Sequence, residues 1–318
     1  MTGTKLVMSP SRGATSPKRK TMEDCWVRML EWKVMKALLL NRAALTTPGD
    51  INADGSLARP WRLCTVDQVE DLKAVVRILP LWLSSIFLSV SIGIVLSLAI
   101  LQALSLDRRL GPHFTVPAGT LSVVALVAAA VTLPALDRCL YPAWRRLVGR
   151  PLTPLQRVGV GHVVNTAAMA AAALVERRRL ASARSLHELE HQPGALVPMS
   201  VLWLVPPLAM VGLGESFHFP GQVALYYQVF PETLRSSATG LVGLSIAVGF
   251  YVSTAVVDLV RRVTDWLAAD INAGRLDKVC WMLAAVGVIN FGFYLLCACS
   301  YRYQAVVDQP ERSSKELE

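Results

Sequence analysis

A single carboxylate stranded inside a long apolar stretch sets the tightest limit on what this chain can be. From Gln192 to Gly214 no side chain is charged; Glu215 follows, and Ser216 to Phe230 is uncharged again. A stretch longer than the roughly 20 residues that cross a bilayer reads as a transmembrane helix. A carboxylate at its centre costs about 2.5–3.5 kcal/mol on insertion scales, so by default it marks a functional position. At helical spacing Glu215, His218 and Gln222 share one face. Pro220, beside Gly221, is expected to kink the helix there. A kinked helix with one polar face predicts a water-lined cavity.

Five further runs of 18–26 residues carry no charge: Leu81–Leu106, Thr115–Leu136, Val158–Val175, Ser236–Val257 and Val279–Tyr301. With the 197–230 segment they predict six membrane-crossing helices and an all-α membrane protein. Six crossings place both termini on one side. Assigning that side to the cytoplasm leaves 22 Lys and Arg residues inside and 10 outside, the sense of the positive-inside rule. The long N-terminal segment supplies the whole excess. Charged residues make up 17% of the chain, against about 25% in soluble domains. The net charge of +9 comes without a basic stripe interleaved with aromatics, so the bilayer, and not nucleic acid, is the expected partner.

Four segments follow from this pattern. Residues 1–40 are expected to be disordered or weakly helical, with 1–24 rich in Ser, Lys and Arg and a short amphipathic helix over 25–45. Residues 41–80 read as a loop, polar over 48–60, followed by a helix with Thr65 as N-cap. Its stripe of Val69, Leu72, Val76 and Leu79 predicts a helix lying along the membrane surface until Pro80. Residues 81–303 form the transmembrane bundle, and 304–318 a charged tail. The small residues of 159–173 predict close helix contact, and the connection from Arg261 to Lys278 is expected to rest at the interface.

Other polar residues have milder readings. His162, Asn165 and Asn290 are expected to hydrogen-bond between helices, and Asp258 to pair with Arg261 or Arg262. His187 and His191 stand four apart beside Glu188 and Glu190, but a lone pair without HExxH is expected to be solvated, not metal-bound. The six cysteines include no CxxC and read as free thiols. No GxSxG, Walker, GxGxxG or HExxH motif occurs, so no enzyme and no cofactor is expected. Glu215 reads as a proton-titrating or cation-binding group, or else as a carboxylate paired to a neighbouring helix. His218 either tunes it or packs.

Several stretches resemble the plant nitrate/peptide transporter family, relatives of the proton-dependent oligopeptide transporters in the major facilitator superfamily. They are Leu40–Leu45, Pro60–Val66, Gln68–Lys73, Leu79–Trp82, Asp137-Arg138, Leu155–Gly159, Gly214–Thr239 and Asp270–Asp277, within about 41–303. Phe217–Gln222 looks most like the nitrate excretion subgroup. The resemblance implies the C-terminal half of a twelve-span major-facilitator fold, with 41–80 as the cytoplasmic loop joining the halves. It implies that Asp137, Arg138, Arg145, Arg146 and Arg157 form the cytoplasmic gate-and-loop region. Glu215 then sits where the family has a cavity carboxylate in its tenth span, with His218 and Gln222 at the substrate or proton site.

Two family features are missing from this sequence. The proton-coupling ExxE[R/K] motif belongs to the family's first span, and 81–106, the counterpart of the seventh, contains no histidine. The expectation is therefore a half-length, proton-coupled transporter of nitrate or another small solute, in the plasma membrane in preference to the vacuolar one. It would pair with a second six-helix half. The alternative is a non-transporting fragment or interaction protein that pairs with another transporter half or a full-length relative.

Overall fold

The structure, a computed structural model, describes residues 66–185, 196–230, 234–268 and 271–315. The chain divides into two units, residues 1–74 and 75–318; of the first, only the opening turns of one helix are described. The expectations for residues 1–60, for Thr65 and for His187 and His191 lie outside the described residues, as do Cys25 and Cys64.

The elements are α1 (Val66–Leu104), β1 (Leu106–Asp107), α2 (Leu121–Ala135), α3 (Tyr141–Val148), α4 (Pro154–Ser185), β2 (Val197–Ser200), α5 (Val205–Val229), α6 (Arg235–Val263) and α7 (Leu276–Lys315). Among the described residues six helical segments are long and apolar enough to cross a membrane, the number the uncharged runs predict: Val75–Leu104, Ala118–Val148, Pro154–Arg184, Val201–Val229, Arg235–Val263 and Leu276–Tyr301. Most extend beyond their uncharged runs. Charge marks where hydrocarbon ends, whereas a helix ends where its backbone hydrogen bonds lose their partners.

Several boundaries differ from expectation for that reason. α1 does not stop at Pro80 but runs through it as one helix, since a proline inside a membrane helix is tolerated where neighbouring groups satisfy the freed carbonyl. The gate-and-loop segment from Asp137 is helical too: a π-helical turn, Leu136–Leu140, joins α2 to α3. What stops α3 is Gly149, in the left-handed region at φ 73°, whose N–H donates to Arg145 O at 3.0 Å, with Pro151 just beyond. α7 continues to Lys315, where the sequence predicts only a charged tail. α5 begins with prolines in its first turn, where no donor is lost, and runs unbroken through Pro220. β1 and β2 form a two-stranded parallel sheet, with Leu106 opposite Val197, and an isolated antiparallel bridge pairs Arg109 with Thr115 just beyond it.

α4 is the hub, packing on α5 and α7, while α5 also packs on α2. The buried apolar residues gather in two main clusters. One takes residues from Leu88 to Leu106, from Ala168 to Ala183, from Val197 to Val211 and from Leu276 to Ala284. The other takes Ile78, Leu81, Val158, Leu225, Tyr226 and Tyr294. On α1, α4, α5 and α7 the gap between the two clusters contains buried polar or small residues: Ser84 and Ser85 on α1, His162 and Asn165 on α4, Gly214, Ser216 and His218 on α5, and Asn290 on α7. A polar layer therefore divides the apolar interior at mid-span.

Candidate functional site

That layer exists because two helices approach unusually closely. A methyl group on Gly161 would come within 2.7 Å of His218 Cβ and 3.0 Å of Gly214 O, and one on Gly214 would strike the Asn165 amide. Glycines at both positions let the α4 and α5 backbones meet, as small residues do in membrane helix packing. The contact turns His162 and His218 onto each other, ring centroids 5.1 Å apart and edge to face. His162 also lies 4.8 Å from the Tyr294 ring, and its Nε2 is 3.4 Å from Ser84 Oγ on α1. Asn290 Nδ2 donates to Ser84 O at 2.9 Å, a direct α7–α1 hydrogen bond. The expected interhelical roles of His162 and Asn290 are realised. Asn165 instead donates to Gly161 O of its own helix at 3.1 Å.

The residues expected to share a polar face sit in different surroundings. His218 and Gln222 are buried; neither His218 ring nitrogen has a hydrogen-bond partner among the described residues, and Gln222 Nε2 donates to Tyr226 Oη at 2.6 Å. Glu215, at the midpoint of the span Val201–Val229, is half-buried. It makes no hydrogen bond or ion pair among the described residues, so the neighbouring-helix partner of the structural reading is not found among them.

The other predicted residues lie at the end of the bundle where α3 meets α4. Asp137, Arg138, Arg145 and Arg146 are exposed. Arg157 is half-buried, its guanidinium 4.1 Å from the centre of the Tyr141 ring, a cation–π contact. At the opposite end Asp258 pairs with Arg262 at 2.8 Å, both exposed, as the spacing predicts. Cys139, Cys280, Cys297 and Cys299 form no disulfide among the described residues. No group of three or more His, Cys, Asp or Glu side chains among the described residues is placed to hold a metal.

One cluster escaped the sequence reading. Glu176 and Arg179, just past the uncharged run of α4, are 0% and 1% exposed and joined at 2.7 Å. Arg179 Nε also donates to the second Glu176 oxygen at 2.9 Å, which accepts from Gln102 Nε2 at 2.7 Å as well. The guanidinium further reaches Ser105 Oγ at 3.2 Å, Asn272 Oδ1 at 2.7 Å and Ile271 O at 2.9 Å. One side-chain pair thus binds the end of α1, the end of α4 and the α6–α7 connection. The available signal was an oppositely charged pair three apart, on one face of a helix, with Gln102 and Ser105 at the end of another span.

The layer brings together two buried imidazoles, with a half-buried carboxylate that has no ion-pair partner among the described residues on the same helix as one of them.

The PTR2 profile of the POT family matches residues 27–273. The chain is 50% identical over 277 residues to the protein NRT1/PTR FAMILY 2.7 of Arabidopsis thaliana, covering 87% of this chain and 49% of that one. To NRT1/PTR FAMILY 2.6 of the same plant it is 50% identical over 264 residues, covering 83% and 47%. The chain spans about half the length of the curated relatives it matches. Among solved structures it is similar to the in meso crystal structure of the POT family transporter PepTSo, with a TM-score of 0.53 at 17% identity over 74% of this chain and 43% of that one. At that identity the likeness concerns the fold.

Proposed function

Because the chain belongs to the POT family, we propose that it acts as the C-terminal six-helix half of a proton-coupled transporter that moves nitrate or another small solute. Glu215 carries the reading: a carboxylate at mid-span, half-buried and without an ion-pair partner among the described residues. An ionisable group in that position is expensive unless it exchanges a proton or binds a solute. In transporters built from repeats, the solute site lies between two bundles that rock against each other. On this reading Glu215 faces a second six-helix half, and His218 and Gln222 support its helix from the buried side. The bilayer, a proton and a small solute are then the partners. The exposed arginines from Arg138 to Arg146 lie on the cytoplasmic side, and the plasma membrane is the favoured location.

The test is flux of isotopically labelled nitrate into proteoliposomes under an imposed proton gradient. The chain alone should carry none, and co-reconstitution with the N-terminal six helices of a relative should restore uptake. Glu215→Gln in that assembly should remove the dependence on the proton gradient at normal membrane abundance. Robust uptake by monodisperse monomers of the chain alone would overturn the two-half assembly. An unchanged pH dependence in Glu215→Gln would overturn the role of the carboxylate. Stable pairing with a partner half and no flux of any solute would favour an interaction protein.

A further inference from the structure

The polar layer contains two carbonyl oxygens that accept from nothing among the described residues. Asn165 Oδ1 and Asn290 Oδ1 are both buried without a hydrogen-bond partner there. Their orientation is not ambiguous. Each amide nitrogen donates to a backbone carbonyl, Asn165 Nδ2 to Gly161 O and Asn290 Nδ2 to Ser84 O, and only the NH2 group can do that. A buried acceptor left unpaired costs about 1–3 kcal/mol, and in a membrane interior bulk water does not relieve it.

Both asparagines line the same small cavity between α1, α4 and α7, together with Ser91, Thr166 and Met169. Its free volume for the centre of a water molecule is about 10 Å³, close to the space one water needs. The Ser91 and Thr166 hydroxyls already donate to Phe87 O at 3.3 Å and His162 O at 2.8 Å, so the cavity lacks donors, not acceptors.

We propose that this cavity is a binding site for one ordered water molecule, which donates its two hydrogens to Asn165 Oδ1 and Asn290 Oδ1. Two orphaned acceptors match the two O–H groups of a single water. A divalent cation is a poor fit, because it demands about six oxygen ligands. The bound water makes the α4–α7 contact a hydrogen-bonded one.

Met169 provides the reporter: it lines the cavity, yet is 1% exposed. X-ray radiolysis of the full chain in nanodiscs prepared in H2(18)O generates hydroxyl radicals wherever water sits, and mass spectrometry locates the resulting labelled methionine sulfoxide. The control is Cys280, a sulfur equally buried in the bundle but not lining this cavity. Met169 should be oxidised about tenfold or more faster than Cys280, sulfoxide being the first oxidation product of a methionine reached by oxidant. Asn165→Leu combined with Asn290→Leu should bring Met169 down to the Cys280 rate. Equal rates at the two sulfurs in the unmodified chain would mean a dry cavity and overturn the proposal. That comparison decides the matter even if the double variant does not fold.

Discussion

The molecule holds two buried polar clusters that treat their hydrogen-bonding groups in opposite ways. At the end of the bundle, both Glu176 oxygens and the Arg179 guanidinium nitrogens are engaged, by each other and by Gln102, Ser105, Asn272 and Ile271. At mid-span, His162 Nδ1, both nitrogens of His218, Asn165 Oδ1, Asn290 Oδ1 and Gln222 Oε1 have no partner among the described residues. A fully satisfied buried network rigidifies the elements it joins, and a partly satisfied one is costly unless something else completes it. The difference separates a satisfied clamp from an unsatisfied layer. The charged pair fastens three segments together, whereas the layer on the helices around Glu215 leaves several buried polar atoms without partners among the described residues.

The comparison can be broken most severely at the clamp. Arg179→Met leaves Glu176 buried without its cation and should cost about 3–5 kcal/mol, read as a large drop in the thermal midpoint of the detergent-solubilised protein. Adding Glu176→Met should recover part of that loss, because an ion pair replaced as a whole costs less than one broken. A single variant as stable as the parent would show that the network does not hold the bundle together.

A smaller effect is expected in the mid-span layer. Gly161→Ala puts a methyl group against His218 Cβ and Gly214 O, forcing α4 and α5 apart at about 1–3 kcal/mol. It should also disturb the His162–His218 contact, visible as a change in imidazole NMR shifts. A neutral Gly161→Ala would show that the two helices meet less tightly than the 2.7 Å approach requires. The least effect belongs to the exposed Asp258–Arg262 pair: Arg262→Ala should change stability by at most about 1 kcal/mol. A loss as large as that at Arg179 would remove the contrast between buried and exposed charge on which the comparison rests.

Much of the architecture was legible without coordinates. Uncharged runs exposed the six crossings because hydrocarbon excludes charge wherever it is, whatever the neighbouring helices do. Glu215 stood out for the same reason. The spacing of Asp258 and Arg262 was enough for their ion pair, since both sit on one helix. Helix ends were less legible: Pro80 and the charges after Leu136 looked like stops, yet the backbone bonds continued to Leu104 and Val148.

What the sequence determined by itself is therefore what depends on local composition and period: membrane insertion, the number of crossings and the position of the stranded carboxylate. Only the tertiary structure decided which polar groups meet. Glu176 and Arg179 are joined by Gln102, Ser105, Ile271 and Asn272 from elsewhere in the chain, partners that no pattern around residue 176 announces. His218 left the company of Glu215 for that of His162 because Gly161 and Gly214 let two helices cross at that height. Burial and partnership are properties of distant segments brought together, and no pattern within one segment encodes them.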